Sequence, residues 1–131
     1  MTARILYLDD NATNVKLMRM VVAMRDDTEL TVAPDGASGL QRVRREQFDL
    51  VLIDLYLPDL RGDEVLRQLR ADEKTARLPA AVVSAEDDTK MVRQAMDAGA
   101  DAYITKPFDI GRLLATLDGL LAGPVGDRAE N

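Results

Sequence analysis

The chain of 131 residues contains no cysteine and no histidine. Without cysteine it cannot form a disulfide, a thiol nucleophile or a cysteine metal site. Without histidine it has no imidazole for acid–base catalysis, for metal binding or for carrying a phosphoryl group. These two absences exclude several classes of enzyme and metalloprotein.

Long hydrophobic runs and excess positive charge are also lacking. No apolar run approaches the roughly 20 residues that a membrane helix needs, and the amino terminus lacks the form of a signal peptide. We therefore expect a cytoplasmic location and no membrane contact. The formal net charge is -6, with only two phenylalanines and three tyrosines. Because an acidic chain repels phosphate backbones, direct nucleic-acid binding is not expected.

The composition that remains is that of a globular protein. Hydrophobic residues make up 47% of the chain and charged residues 31%, which suits one domain with one core at this length. We expect this domain to cover residues 1–122. Residues 123–131 are polar and carry no hydrophobic pattern, so we interpret them as a flexible tail or the start of a linker.

Short apolar runs alternate with amphipathic stretches along the chain. The run at 50–53 is apolar throughout, as a strand covered on both faces should be. Strands that alternate with helices predict a parallel sheet with helices on both faces, joined by right-handed crossovers. The predicted strands are 5–8, 30–33 (the weakest), 50–53, 80–83 and 102–104, and the predicted helices are 15–24, 37–46, 63–71, 89–98 and 110–121.

Polar and charged residues follow the ends of four predicted strands. Asp9 and Asp10 follow the first strand, Asp54 the third and Ser84 the fourth, and Lys106 lies just beyond the fifth. In open parallel sheets, ligands bind beyond the carboxyl ends of the strands. The fold prediction therefore brings three carboxylates, a hydroxyl and an ammonium to one edge, although each residue alone has an ordinary structural interpretation.

This set of groups favours metal-dependent phosphoryl chemistry. Clustered carboxylates repel one another unless a cation lies among them, and ligands that are all oxygen favour Mg²⁺ or Mn²⁺. A carboxylate can then attack phosphorus as a nucleophile, with no proton for a base to remove. The Lys106 ammonium and the Ser84 hydroxyl could neutralise charge on the transferred group.

Four segments, in this order and at this spacing, closely resemble bacterial response-regulator receivers of two-component phosphorelay systems. The resemblance extends over about residues 3–122, and it implies a flavodoxin-like doubly wound α/β fold with five helices and strand order 2-1-3-4-5. The segments are ILYLDDN at 5–11, DLVLIDLYLPDLRG at 49–62, VVSA at 82–85 and GADAYITKPF at 99–108.

The resemblance implies a role for each residue of the predicted site. Asp54 would be the phosphoacceptor, and Lys106 would pair with the phosphoryl group. Asp9 and Asp10 would hold the metal, with Asp10 as the more direct ligand. Asp54 and the backbone carbonyl of Tyr56 would complete the protein ligands.

The resemblance also implies a switch. Ser84 would bind a phosphoryl oxygen, and Tyr103 would swing inward, carrying the signal to a face formed by the fourth helix, fifth strand and fifth helix. A phosphorylation-dependent dimer could form through that face. Tyr56 and Glu86 would tune the lifetime of the phosphoryl group, and the bulk of Tyr56 predicts slow hydrolysis. A cis peptide bond would precede Pro107.

The partner implied by the resemblance is a histidine kinase or a histidine phosphotransfer protein. The chain itself would be a switch and not an enzyme, with chemistry directed only at itself. The segment that contains Asn11 and Asn14 resembles the corresponding segment in receivers of hybrid histidine kinases and in some stand-alone receivers. The last helix lacks the arginine-rich pattern of receivers that dimerise to bind DNA.

The same residues disfavour three other classes of protein. A metal-dependent aspartyl phosphatase usually places a second acid two residues after its nucleophile, where this chain has Tyr56. A flavodoxin-type electron carrier needs a phosphate-binding loop after the first strand, where Asp9 and Asp10 would repel phosphate. A degenerate receiver that only binds partners is disfavoured by the intact set of acidic, hydroxyl and ammonium groups.

Overall fold

The computed structural model describes residues 2–122. All ten predicted elements are present, and their bounds differ from the predicted ones by a few residues at most. The predicted tail at 123–131 lies outside the described residues. The elements are β1 (Ala3–Leu8), α1 (Ala12–Ala23), β2 (Thr28–Ala33), α2 (Gly36–Arg45), β3 (Leu50–Asp54), α3 (Gly62–Ala71), β4 (Ala80–Ser84), α4 (Thr89–Asp97), β5 (Ala102–Thr105) and α5 (Ile110–Ala122).

The five strands form one sheet in the order β2-β1-β3-β4-β5, and every neighbouring pair is parallel. The predicted fold class and strand order are confirmed. In the register, Leu8 lies beside Ile53, and Asp54 lies beside Val83. The carboxyl ends of β1, β3 and β4 therefore meet at the centre of one edge.

Alternate residues of the central strands face two separate hydrophobic clusters. In β3, Val51 and Ile53 pack into a cluster with α2, α3 and α4, whereas Leu50 and Leu52 pack into a cluster with α1 and α5. All four side chains are buried. Burial on both faces is the reason that this strand is apolar throughout.

Side-chain caps fix where three helices begin at the carboxyl edge. Asn11, Asp35 and Asp88 each accept a hydrogen bond from the backbone N–H three residues further on. Such caps satisfy N–H groups that have no partner within the helix. At the other end of α4, Gly99 has a φ of +112°, a conformation that glycine adopts readily. The loops that carry the polar residues are thus short and well defined.

The longest helix of the described chain, α5, has 13 residues. Within residues 2–122, no helix combines the length and the hydrophobicity that a bilayer-spanning helix requires.

Candidate functional site

The carboxyl edge brings together the three aspartates that the sequence predicted. One carboxylate oxygen from each of Asp9, Asp10 and Asp54 lies within 4.8 Å of the other two. Asp9 and Asp54 are buried, with 1% and 7% of their surface exposed, whereas Asp10 is exposed. Two buried carboxylates therefore lie beneath one that faces solvent.

Lys106 reaches this cluster from β5, past the end of β4. Its Nζ lies 3.2 Å from Oδ2 of Asp54 and 3.4 Å from Oδ2 of Asp9. The peptide bond between Lys106 and Pro107 is cis, as predicted. One ammonium thus lies between the two buried carboxylates and reduces their mutual repulsion.

The Asp9 carboxylate is held by donors on both oxygens. The Tyr7 hydroxyl donates to Oδ2 at 2.5 Å, and the Asn11 backbone N–H donates to Oδ1 at 2.9 Å. Burial, together with the Asp9 hydrogen bond, raises the pKa of Tyr7 far above its ordinary value, so the phenol stays protonated and acts as the donor. Our sequence reasoning missed Tyr7. Its position two residues before Asp9 was the available signal, because alternate strand residues share a face.

The surroundings of the Asp54 carboxylate raise its pKa. The carboxylate accepts the Tyr56 backbone N–H at 3.2 Å through Oδ1. Burial raises the pKa of Asp54; the Lys106 ammonium opposes this and the Asp9 charge adds to it, with a net upward shift. The charged form of Asp54 is thus destabilised by the protein alone, and a cation nearby would relieve it.

The loop that follows Asp54 is held by close backbone packing. A Cβ on Gly62 would lie 2.6 Å from the backbone carbonyl oxygen of Asp54 and 2.9 Å from Cα of Leu55. The Gly62 N–H also donates to the Leu55 carbonyl at 2.7 Å. Asp59, in the same loop, accepts the backbone N–H of Gly36 at 2.8 Å and thereby ties the loop to α2.

The donor set fits a hard divalent cation. Three carboxylates and one ammonium leave a net charge of −3 + 1 = −2, which a divalent cation would neutralise. The available ligands are all oxygen atoms, as Mg²⁺ and Mn²⁺ prefer. In the described part of the chain, no hydrogen bond or ion pair engages the Asp10 side chain, which is consistent with its predicted place as the more direct ligand. The ligand role of the Tyr56 carbonyl stays a prediction.

Ser84 and Tyr103 meet at Glu86 and not at Asp54. The buried Ser84 hydroxyl oxygen accepts the Glu86 backbone N–H at 3.0 Å. The Tyr103 hydroxyl donates to the Glu86 backbone carbonyl, and its half-buried ring packs against the α2–α3–α4 cluster. The Lys106 backbone N–H donates to the Ser84 backbone carbonyl at 2.9 Å. Between residues 2 and 122, no hydrogen bond joins the Ser84 hydroxyl to the Asp54 carboxylate or the Lys106 ammonium, so its role toward a phosphoryl group stays a prediction.

The two predicted tuning residues, Tyr56 and Glu86, lie near each other at the rim of the site. Tyr56 is 48% exposed. A hydrogen bond with the Glu86 side chain, helped by burial, raises the pKa of the Tyr56 phenol, while Arg61 opposes the shift. The Arg61 guanidinium lies 5.3 Å from the centre of the Tyr56 ring. Our sequence reasoning did not single out Arg61, and no pattern in the sequence placed it over Tyr56.

Comparisons of the sequence with known proteins all indicate the same family. The sequence profile of the response regulator receiver domain matches residues 5–118. Protein PilH of Pseudomonas aeruginosa PAO1 is 35% identical over 122 residues, which cover 92% of this chain and 99% of PilH. The chain spans about half the length of three other curated relatives, one response regulator and two transcriptional regulators, which are 33%, 37% and 36% identical to it.

Solved structures share the same fold. A response-regulator crystal structure from Chloroflexus aurantiacus J-10-fl has a TM-score of 0.88 and 25% identity, covering 93% of this chain and 99% of the other. The receiver domain of sensor histidine kinase PA1611 from Pseudomonas aeruginosa PAO1 has a TM-score of 0.84, 25% identity and the same coverage. Its structure contains a magnesium ion coordinated in the active-site cleft.

Proposed function

Because this chain belongs to the response-regulator receiver family, a family of phosphoacceptors in two-component signal transduction, we propose that Asp54 is its phosphorylation site. The observation that carries the proposal is the position of the Asp54 carboxylate. Asp54 is the last residue of β3. Its carboxylate lies close to those of two further aspartates and 3.2 Å from the Lys106 ammonium. No other aspartate in the described range combines a strand end, an acidic pair and an ammonium.

The Asp54 side chain supplies the nucleophile. One carboxylate oxygen would form the new bond to phosphorus, while the bond between phosphorus and the donor's leaving atom breaks. The chain has no histidine of its own. We therefore propose that the physiological donor is a phosphohistidine on a histidine kinase or a histidine phosphotransfer protein, whose imidazole nitrogen leaves and takes a proton.

Lys106 and the acidic residues would manage the charge of this step. Asp9, Asp10, Asp54 and the Tyr56 backbone carbonyl would hold Mg²⁺ or Mn²⁺, which when bound supplies positive charge to carboxylate and phosphoryl oxygens. The Lys106 ammonium lies between both buried carboxylates. It is positioned to exchange one of these contacts for a phosphoryl oxygen.

The output would be a shift between two conformations. Ser84 would release the Glu86 N–H to bind a phosphoryl oxygen, and Tyr103 would respond through its own bond to Glu86. A ligand or modification shifts such an equilibrium by bonding differently to the two states. The face formed by α4, β5 and α5 would present the change to a partner or to a second copy of the chain.

The proposed role is that of a cytoplasmic switch without a separate substrate. Phosphoryl transfer and hydrolysis would both occur on the chain's own Asp54. This interpretation is supported by the match to the receiver-domain family and by the short loops that follow β1, β3 and β4 at the carboxyl edge.

Intact-mass measurement after incubation with acetyl phosphate tests the proposal. We expect a gain of one phosphoryl group that needs Mg²⁺ and is lost in Asp54→Ala. Asp87→Asn is the matched control, because Asp87 is an exposed aspartate in the loop after β4. The proposal is wrong if the wild-type chain gains no mass, or if Asp54→Ala gains as much as the wild type does.

A further inference from the structure

We propose that Arg61 is a positioning residue that holds the Tyr56 ring across the mouth of the site and thereby lengthens the lifetime of the phosphoryl group on Asp54. The inference rests on the proposed phosphorylation of Asp54. It assigns a function to a side chain that neither contacts the three aspartates nor belongs to the predicted site.

Backbone and side chain both bring Arg61 to Tyr56. The two residues form an isolated antiparallel bridge across the loop between β3 and α3. The guanidinium carbon of Arg61 lies 5.3 Å from the centre of the Tyr56 ring, within the range of a cation–π interaction. Both side chains are about half exposed, at 45% for Arg61 and 48% for Tyr56. Packing in the core therefore cannot be what fixes their orientation.

Arg61 is itself anchored to a rigid element. Its Nε lies 3.1 Å from Oδ1 of Asp63, whose side chain is only 9% exposed and lies in the first turn of α3. A carboxylate at that end of a helix is stabilised by the helix dipole. The anchored guanidinium thus offers the Tyr56 ring a fixed surface, where a free loop tyrosine would move between rotamers.

The Tyr56 side chain bridges the two loops that flank the phosphoacceptor. The Tyr56 backbone N–H donates to the Asp54 carboxylate, and the Glu86 carboxylate, in the loop that follows Ser84, lies near enough to raise the pKa of the Tyr56 phenol. Asp54 and Ser84 end neighbouring strands. A ring held between these loops would cover part of the approach of water to a phosphoryl group on Asp54.

Hydrolysis is the step that this arrangement would slow. The oxygen of a water molecule forms a bond to phosphorus, and the bond between phosphorus and the Asp54 carboxyl oxygen breaks. The products are the Asp54 carboxylate and inorganic phosphate, with one water proton kept by phosphate and the other released to solvent. Loss of Arg61 would free the ring and admit water more often.

The decay of phosphorylated protein after removal of acetyl phosphate, followed by intact mass in Mg²⁺, tests the inference. We expect Arg61→Ala to shorten the lifetime about two- to fivefold, the factor that corresponds to one exposed cation–π contact. The lifetime in Arg61→Lys should lie between those of Arg61→Ala and wild type, since lysine keeps the positive charge. Arg67→Ala is the matched control, because Arg67 also pairs with Asp63, at 3.4 Å, without contact to Tyr56.

A second background separates positioning from a direct effect of charge. In Tyr56→Ala, which lacks the ring, Arg61→Ala should shorten the lifetime no further. An equal shortening there would mean that the guanidinium acts on the phosphoryl group itself and would overturn the inference, as would an unchanged lifetime in Arg61→Ala. A wild-type chain that takes no phosphoryl group overturns the proposed function as well, whereas these two outcomes leave that function standing.

Discussion

The two edges of the sheet use charge in opposite ways. At the carboxyl edge, the Lys106 ammonium pairs with Asp9 and Asp54. The third aspartate of the cluster, Asp10, has no ion pair among the described residues, so an excess of negative charge lies in a partly buried place. At the amino edge, Arg4 and Arg70 are each surrounded by acceptors. The uncompensated carboxylates of the carboxyl edge suit it to bind a cation, whereas the arginine contacts of the amino edge hold the fold together.

Arg70 is the centre of the amino edge. Its guanidinium donates to the backbone carbonyls of Leu78 at 2.7 Å and Gly99 at 3.0 Å, and it pairs with Asp101 at 3.2 Å. Asp101 in turn accepts the Ala80 N–H at 3.0 Å. These bonds tie the end of α3 to the segments that lead into β4 and β5. They satisfy carbonyls that would otherwise be poorly bonded.

A cavity of about 690 Å³ also opens at the amino edge, and it lies away from the acidic cluster. Exposed cations line its rim, and for residues 2–122 no ion pair engages them. The volume of a cavity is thus a poor guide to chemistry here, because the site that fits a metal and a phosphoryl group is a shallow edge of short loops. The cations are Arg44, Arg45, Lys74 and Arg77.

The largest expected effect is on chemistry at the carboxyl edge. Lys106→Ala should slow phosphorylation of Asp54 by acetyl phosphate about 100-fold, since it removes a preorganised positive group from the reacting oxygens. The initial rate of mass gain in Mg²⁺ measures this. Lys74→Ala, an exposed lysine of the amino edge, should react like wild type, and an equal loss in both variants would break the comparison.

The next effect is on stability at the amino edge. Arg70→Ala should lower the free energy of unfolding by about 2–4 kcal/mol, because it removes the hydrogen bonds that the guanidinium donates to backbone carbonyls and its ion pair with Asp101. Chemical denaturation measures the loss. The phosphorylation rate of the folded fraction should stay within about twofold of wild type.

Arg77→Ala serves as the control for Arg70→Ala, since Arg77 is exposed at the same edge. We expect its free energy of unfolding to stay within about 0.5 kcal/mol of wild type. If Arg70→Ala unfolded as wild type does but lost phosphorylation, the assignment of stability to one edge and chemistry to the other would fail.

The smallest expected effect is on the pH dependence of stability. It tests whether the charge of Asp54 destabilises the fold when no metal is present. Burial raises the pKa of Asp54 in the folded chain, so its contribution to stability is fully present below the unfolded pKa of about 4 and is lost as pH rises through the folded pKa. Asp54→Asn has no such loss. In metal-free buffer at neutral pH it should unfold at higher denaturant than wild type, by less than the Arg70→Ala change.

Denaturation midpoints across acidic to neutral pH, with a chelator present, measure this difference. The gap between Asp54→Asn and wild type should widen as pH rises and should shrink when Mg²⁺ is added, because only the wild type keeps all three carboxylates. A gap that narrows with rising pH would show that the Asp54 carboxylate stabilises the fold, contrary to the interpretation of the site.

The succession of strands and helices along the chain, and the sheet edge at which the polar site residues lie, could both be predicted from patterns in the sequence. An apolar strand such as residues 50–53 can only be buried on both faces, and parallel strands must place Asp54 and the Asp9–Asp10 pair at the same edge. Such inferences succeed because the side-chain period of a strand and the direction of a parallel sheet leave few alternatives.

Contacts between separate loops depended on three-dimensional packing. Asp9 and Asp10 are adjacent and chemically identical, yet Asp9 is buried and Asp10 is exposed. The Arg61 contact with Tyr56 is set by side-chain directions that no periodicity encodes. A hydrophobic pattern records which residues leave water, since burial of apolar surface drives folding. The strand period places Tyr7 and Asp9 on one face, but it does not specify the hydrogen bond between them. Distances of about 3 Å between polar groups on different strands are selected only when the whole chain has packed.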